Sequence, residues 1–322
     1  MFSSPGPIYE PQAIDEDFWR FKRALYAVGV RPGSLVYNTF SYHFTPAGFM
    51  ADFGARALGC AVFPAGIGQT ELQARTISEI RPDVYTGTPS FLKILLEKGK
   101  ELGLDLSSLK KGIVGGEAFL PAARQLFQEH GIKVCQTYAT ADVGLIAYET
   151  NPDDGLVIDE DIFVEIVRPG SNDIVPDGEV GEVVVSMFSS IYPLIRFGTG
   201  DLSTFIPGRS LCGRTNRRLK GWMGRADQTT KVKGMFVHPE QINAVIAKHP
   251  EITYARLNVK HDAQQNDMMT LDCEVQSVSE GLEAAIVVSI RDVTKLRGSV
   301  NLVKQETLPR DGKVIDDQRK YD

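Results

Sequence analysis

The period of the apolar residues changes twice along the chain, and this constrains the fold more than any other feature of the sequence. Up to about residue 150, short apolar runs alternate with helical spacing. Ser34-Leu35-Val36-Tyr37-Asn38 reads as a strand, 46–58 as a helix, and Cys60-Ala61-Val62-Phe63-Pro64 as an apolar run. Residues 71–80 read as a helix and Asp83-Val84-Tyr85 as a strand. A helix over 90–102 follows, with Ser90 as its N-cap, then a strand at Gly112-Ile113-Val114 and a helix over 121–130. Strand and helix in this rhythm predict an α/β unit with a mostly parallel sheet and helices on its faces.

After about residue 155 the spacing shortens to two. Asp161-Ile162-Phe163-Val164-Glu165-Ile166-Val167 alternates, Pro176-Asp177-Gly178 is a turn, and Gly181-Glu182-Val183-Val184-Val185 is a second strand. This stretch, about 155–224, reads as a β-rich subdomain. A third regime begins near Asp227. Residues 239–249 are helical with proline in the first turn, and 254–260 and 268–275 are strands. Leu282, Ile286, Ile290, Val293 and Leu296 form the apolar stripe of an amphipathic helix that Gly298 stops, and 299–307 is a last strand. These elements make a compact α+β unit.

The chain has 322 residues, enough for two domains. Its net charge of −6 gives it no general electrostatic footprint for nucleic acid. Cys60, Cys135, Cys212 and Cys273 are too widely spaced for a zinc site, and no apolar stretch reaches membrane-spanning length. Residues 1–7 have neither the basic start nor the apolar run of a secretory leader, so a cytoplasmic chain with free thiols is expected.

Five segments carry candidate chemistry. Gly115-Gly116-Glu117-Ala118-Phe119 follows a strand, and its glycines allow a flat ring to approach closely. In Tyr138-Ala139-Thr140-Ala141-Asp142 an aromatic ring can stack on adenine, and a carboxylate four residues on can hold magnesium. Each of these alone is also an ordinary turn or loop. Tyr192-Pro193-Leu194-Ile195-Arg196-Phe197-Gly198-Thr199-Gly200-Asp201-Leu202 is longer and more specific. A carboxylate in a tight Gly-x-Gly-Asp turn accepts both hydroxyls of a ribose. Gly224-Arg225-Ala226-Asp227 offers a fixed cation to ribose or phosphate, and Lys231-Val232-Lys233-Gly234 continues as a linker able to swing. Last comes Leu308-Pro309-Arg310-Asp311-Gly312-Lys313. A lone lysine near a C-terminus is ordinarily a solvated charge; here its company argues otherwise.

In this order the segments resemble the adenylate-forming superfamily of acyl- and aryl-CoA synthetases. Gly68-Gln69-Thr70-Glu71, Gly87-Thr88-Pro89-Ser90-Phe91 and Val237-His238-Pro239-Glu240-Gln241-Ile242 are most similar to the phenylacetate–coenzyme A ligase branch. The resemblance covers nearly the whole chain. It implies a large adenylating domain over 1–226 and a small mobile domain over 227–322. It also implies ATP-dependent activation of an aryl or arylacetic acid as its adenylate, followed by transfer to coenzyme A. On that reading Lys313 bridges the reacting carboxylate and phosphate oxygens. Asp201 and Arg225 hold the ribose; Gly115, Gly116, Glu117, Tyr138 and Ala139 frame the adenine; and Asp142 holds Mg2+. Asp227 is the hinge, Lys233 and Gly234 approach coenzyme A, and Tyr42 and His43 belong to the acyl pocket.

Three departures accompany the resemblance. The family's Ser/Thr/Gly-rich phosphate loop has no counterpart in Phe2-Ser3-Ser4-Pro5-Gly6-Pro7. Pro5 and Pro7 lack the N–H groups with which such a nest grips oxygen. Asp142 stands where the family usually has Glu, and Ala141 replaces a hydroxyl residue whose hydrogen bond contributes about 1 kcal/mol. The large domain is therefore expected to be N-terminally incomplete, with a homodimer or a partner subunit supplying the missing segment. Two alternatives to a ligase stay open: a non-catalytic or split relative that binds nucleotide or acyl-CoA, and an enzyme that passes the acyl group to a carrier protein.

Overall fold

A computed structural model of the chain describes residues 1–4, 8–152, 154–232, 235–262 and 267–319. Its largest sheet has nine strands. Ala61–Pro64, Leu35–Asn38, Val84–Gly87, Lys111–Val114 and Lys133–Thr140 lie side by side and parallel, as the strand–helix rhythm predicts. The sheet then continues antiparallel through Gly144–Glu149, Leu156–Ile158, Arg218–Leu219 and Phe205–Ile206. The chain leaves Leu35–Asn38 for one neighbour and returns to pair with the other. In open α/β sheets such a switch point opens a crevice at the carboxyl ends of the strands.

Helices α1 (Phe21–Val28) and α2 (Ala47–Ala57) share one core cluster with the sheet, around Trp19, Leu25, Met50 and Ile113. Helices α3 (Thr70–Ile80), α4 (Pro89–Glu101) and α5 (Pro121–Glu129) bring residues to a second, around Ile77, Leu92, Leu95 and Phe127. Each fully buried leucine or phenylalanine there contributes about 1.5–3 kcal/mol. The β-rich stretch forms an antiparallel sheet of Ile162–Val167, Gly181–Met187 and Leu194–Ser203. Beyond it, a four-stranded sheet of Ser299–Val303, Asp267–Val275, Ile252–His261 and Ile315–Asp317 shares a separate core with α6 (Pro239–Ile246) and α7 (Leu282–Thr294).

Several local expectations need correction. Helix α1 has no obvious start signal. Arg20, at φ 64°, precedes it, and its guanidinium donates to the carbonyls of Val143 (2.6 Å) and Leu145 (2.9 Å) and to Asp159 (3.0 Å). Tertiary contacts thus fix the entry to that helix. Helix α4 is capped by Thr88, whose hydroxyl accepts the Phe91 amide at 3.3 Å; Ser90 lies inside the first turn behind Pro89. Helix α7 ends on Lys295 in the left-handed conformation, before Gly298; the strand expected over 299–307 stops at Val303, and the last strand of that unit is Ile315–Asp317. Gly198-Thr199-Gly200-Asp201 is not a free turn but the bulged middle of Leu194–Ser203.

The N-terminal residues, expected where a phosphate loop would end, pair as two short strands, Phe2–Ser4 and Ile8–Glu10. Pro5, Gly6 and Pro7 lie outside the described residues. Phe2 is buried against Trp19 and Phe49, with ring centroids 5.7 and 5.2 Å away. Among the described residues all four cysteines are free and no helix is long and apolar enough to cross a membrane.

Candidate functional site

The carboxyl ends of the central parallel strands deliver Asn38, Gly87, Val114-Gly115 and Tyr138–Thr140 to one edge of the sheet. Two of the glycines there are required by their surroundings. A Cβ on Gly115 would stand 2.8 Å from Thr137 Oγ1, and Gly116 has φ +79°, a conformation that disfavours other residues. Glu117 turns aside from this edge. Its carboxylate accepts the Ser90 amide at 2.6 Å, at the N-terminal end of α4, where the helix dipole favours negative charge.

Tyr138 sits at a register shift in its pairing with Gly144–Glu149, and Asp201 lies within the shift between Leu194–Ser203 and Gly181–Met187. Bulges of this kind re-aim side chains, and here they aim at each other. The Tyr138 hydroxyl donates to Asp201 Oδ2 at 2.9 Å. Asp201 Oδ1 receives Arg225 Nη1 at 3.1 Å and Trp222 Nε1 at 3.0 Å. Thr199 Oγ1 donates to Val183 O and accepts the Asp201 amide, and Glu182 accepts the Gly200 amide, so the bulge is held from beneath. Burial, together with the charge of Asp201, raises the Tyr138 phenol well above its ordinary value and keeps it a donor.

Arg225 reaches Asp201 across Gly200, whose φ is +72° and whose Cβ, if it had one, would stand 2.5 Å from a guanidinium nitrogen. The backbones of Asp201 and Arg225 also pair as an isolated bridge. Sequence distance therefore misleads: Tyr138, Asp201 and Arg225 form one constellation. Trp222, which the sequence reading did not single out, completes it. Its place three residues before Arg225 was the available signal.

Asp142 lies just beyond Ala139–Ala141 and is half-buried. Burial first, then the charge of Glu10, raise its carboxyl above the ordinary value. Glu10 is 1% exposed, on the second strand of the N-terminal hairpin, and its charge also reaches Tyr192. It is a second carboxylate that the sequence reading missed, because pairing of the hairpin, not sequence spacing, brings it there. Among the described residues no group of three or more His, Cys, Asp or Glu is placed to hold a metal.

A cavity of about 150 Å³ lies beside the glycine turn, lined by Phe21, Phe40, Pro46, Met50, Gly115 and Ala139 among others. Neither Tyr42 nor His43 lines it. Tyr42 donates to Asp52 at 3.0 Å, accepts from Asn38 at 2.7 Å and packs edge-on against Phe49. It lines a different cleft of about 370 Å³, with Phe2, Tyr9 and Phe44. His43 is exposed.

Asp227 falls in the 3-10 turn Ala226–Gln228. Its neighbour Gln228 donates to Gly312 O at 3.2 Å and accepts the Val314 amide at 2.8 Å, clasping the turn on both sides of Lys313. Lys313 itself is exposed, with Nζ 3.5 Å from Asp316. Lys233 and Gly234 lie outside the described residues.

Comparison with known proteins agrees with this fold. Residues 18–189, more than half of the chain, match the family described as AMP-binding enzyme. A phenylacetate-coenzyme A ligase of Aromatoleum evansii is 32% identical over 85% of this chain and 65% of its own length. One of Escherichia coli (strain K12) is 33% identical over 79% of this chain and 61% of its own length. The chain thus spans less than two thirds of these relatives. The fold matches that of a 2-hydroxyisobutyryl-CoA ligase solved in an open conformation with 2-HIB-AMP and CoA. The TM-score is 0.78 at 23% identity, over 93% of this chain and 71% of that one. An anthranilate CoA ligase, AuaEII, solved with anthranoyl-AMP, matches at a TM-score of 0.58 and 18% identity, over 92% of this chain and 61% of that one. The chain belongs to the AMP-binding, adenylate-forming enzymes, close to the phenylacetate–coenzyme A ligases.

Proposed function

We propose that the chain activates an aryl or arylacetic acid with ATP, as its acyl-adenylate, and passes the acyl group to coenzyme A. The observation that carries this reading is the convergence of Tyr138, Asp201 and Arg225 beside the Gly115–Gly116 turn. Asp201 accepts the ribose hydroxyls, Arg225 steadies Asp201 and the ribose edge, and the flat face of the glycine turn admits adenine. The acid carboxylate attacks the α-phosphorus, pyrophosphate departs, and Lys313, carried by the 227–322 unit, neutralises charge on the oxygens in flight. Such a transfer depends on positioning and charge more than on covalent help.

The 150 Å³ cavity supports an aromatic acid, because a cavity of about that volume with an apolar lining accommodates benzene. Asp142 and Glu10 are hard oxygen donors of the kind Mg2+ takes, and two carboxylates suit a metal that shares its remaining positions with phosphate and water. When bound, the metal neutralises phosphate charge.

A second reading, binding of AMP or acyl-CoA without release of pyrophosphate, is favoured by Glu10. Its carboxylate adds negative charge beside Asp142, where the phosphates of ATP would need to come. ATP–pyrophosphate exchange on the purified chain, with Mg2+ and a panel of aryl and arylacetic acids, decides between them. Exchange that depends on one acid supports the ligase and names its substrate. AMP binding without exchange for any acid refutes it in favour of the second reading.

A further inference from the structure

We infer that Trp222 is a placeholder for the ribose: its indole N–H holds Asp201 Oδ1 where a ribose hydroxyl would bind, and an arriving nucleotide displaces it. The inference rests on the reading of Asp201 as the ribose carboxylate and adds a residue that sets the affinity of that site. Three observations support it.

First, most of the acceptor capacity of Asp201 is taken. Its carboxylate, with about four acceptor positions, receives Tyr138 on Oδ2 and Arg225 and Trp222 on Oδ1 at 2.9–3.1 Å. A ribose that brings two hydroxyls finds one position open on Oδ2 and competes for the second. Second, the donors differ in how readily they leave. Tyr138 is held in the core of the β-rich unit, and Arg225 is tied to Thr199 O as well as to Asp201. Trp222 is 53% exposed, and among the described residues its hydrogen bond is the one to Asp201. Third, its backbone is held within reach of Asp201. Gly221 and Gly224, at φ +117° and +127°, flank it. Ser203 Oγ donates to Gly221 O at 2.7 Å, Met223 N to Leu202 O at 2.9 Å, and Leu202 N to Gly224 O at 2.8 Å. Only the side-chain torsions are left to move the indole.

A group that must leave before a ligand binds lowers apparent affinity by the fraction of molecules in which it has already left. Removing it should therefore tighten binding. The experiment is direct, because the chain has two tryptophans and the other, Trp19, is 2% exposed. AMP is titrated into the full chain while indole emission is followed, and affinity is measured independently by calorimetry. The expected results are a saturable change in emission with AMP and none with 2′,3′-dideoxy-AMP at equal occupancy. Trp222→Phe should bind AMP about three- to tenfold more tightly, the size of a modest hydrogen bond no longer displaced.

Emission that does not move while AMP binds, an equal response to the dideoxy nucleotide, or unchanged or weaker binding by Trp222→Phe would each overturn the placeholder. None of these would touch the ribose assignment provided that Asp201→Ala still abolishes binding. AMP affinity indifferent to Asp201→Ala removes the ribose reading, and the placeholder with it.

Discussion

Gly200→Ala tests whether the Asp201 bulge and the Arg225 guanidinium are built as one unit. The wild-type residue has φ +72°, and a left-handed backbone costs a residue with a Cβ about 1–2 kcal/mol. The new methyl would also stand 2.5 Å from Arg225 Nη2 and 2.9 Å from its Cζ, so the guanidinium must leave. That forfeits its bonds to Asp201 and to Thr199 O. Because the Arg225 side chain is 42% exposed, screening holds the ion pair to about 0.5–1 kcal/mol. The two effects together predict a loss of about 1.5–3 kcal/mol on urea unfolding. With Asp201 in its proposed role toward ribose, they also predict AMP binding weaker by about tenfold, since the cation beside that carboxylate has moved. Arg225→Ala separates the two effects. In that background the clash is gone, and Gly200→Ala should cost only the backbone strain, which leaves a coupling of about 1 kcal/mol between the two positions. A Gly200→Ala chain as stable as wild type refutes the strain argument. An equal cost in both backgrounds refutes the claim that the methyl and the guanidinium collide.

Three further outcomes follow from the same geometry. Lys313→Ala should reduce ATP–pyrophosphate exchange by about a hundredfold or more, by analogy with loss of an oxyanion donor, while the exposed position leaves the melting temperature unchanged; equal exchange would remove Lys313 from the chemistry. Gln228→Ala should lower exchange at saturating ATP by about tenfold with AMP affinity intact, because the amide that clasps Gly312 and Val314 is lost; a parallel fall in AMP affinity would point to general damage. Iodoacetamide should label Cys212 with a rate that rises through about pH 6 and then levels, sparing buried Cys60, Cys135 and Cys273. Burial alone would raise the Cys212 thiol, but hydrogen bonds led by Ser210, with Arg214, outweigh it and bring the value down to about 6. A folded value below that of an unfolded thiol means that ionisation stabilises the fold at high pH. That contribution is lost as pH falls through 6, and a rate still rising at pH 8 would contradict it.

The parallel half of the large sheet was legible because each element there follows a local rule. Strands are short apolar runs, and α4 and α5 open on proline, α4 behind the Thr88 cap. What was hidden depends on contacts distant in sequence. Arg20 positions α1 through carbonyls more than a hundred residues away, and no local pattern encodes that. The site divides the same way. The segments containing Tyr138, Asp201 and Arg225 were recognisable, yet the bonds joining them arise where two register shifts face one another. Glu117 shows what a motif does not convey: its place suggested a frame for adenine, and its carboxylate also accepts the Ser90 amide at the start of α4. Tyr42 likewise serves α2 through Asp52 and Asn38 and leaves the lining of the small cavity to Phe40, Pro46 and Met50.

The two ends of the site differ in how they obtain their charge. At the Asp201 end, one carboxylate is paired with one guanidinium and accepts from two neutral donors, with the supporting backbone bonded beneath it. Such a carboxylate already has its charge compensated and gains little from further cations. At the other end Asp142 and Glu10 are like charges in a partly desolvated setting, and burial already disfavours ionisation of Asp142. A dianionic AMP that keeps its phosphate away from that pair loses little, whereas a triphosphate is repelled unless a cation accompanies it. The nucleotide preference of the empty chain should therefore run toward AMP without divalent cation and shift toward ATP as Mg2+ is added. That ordering follows from charge alone, whichever acid fills the apolar cavity.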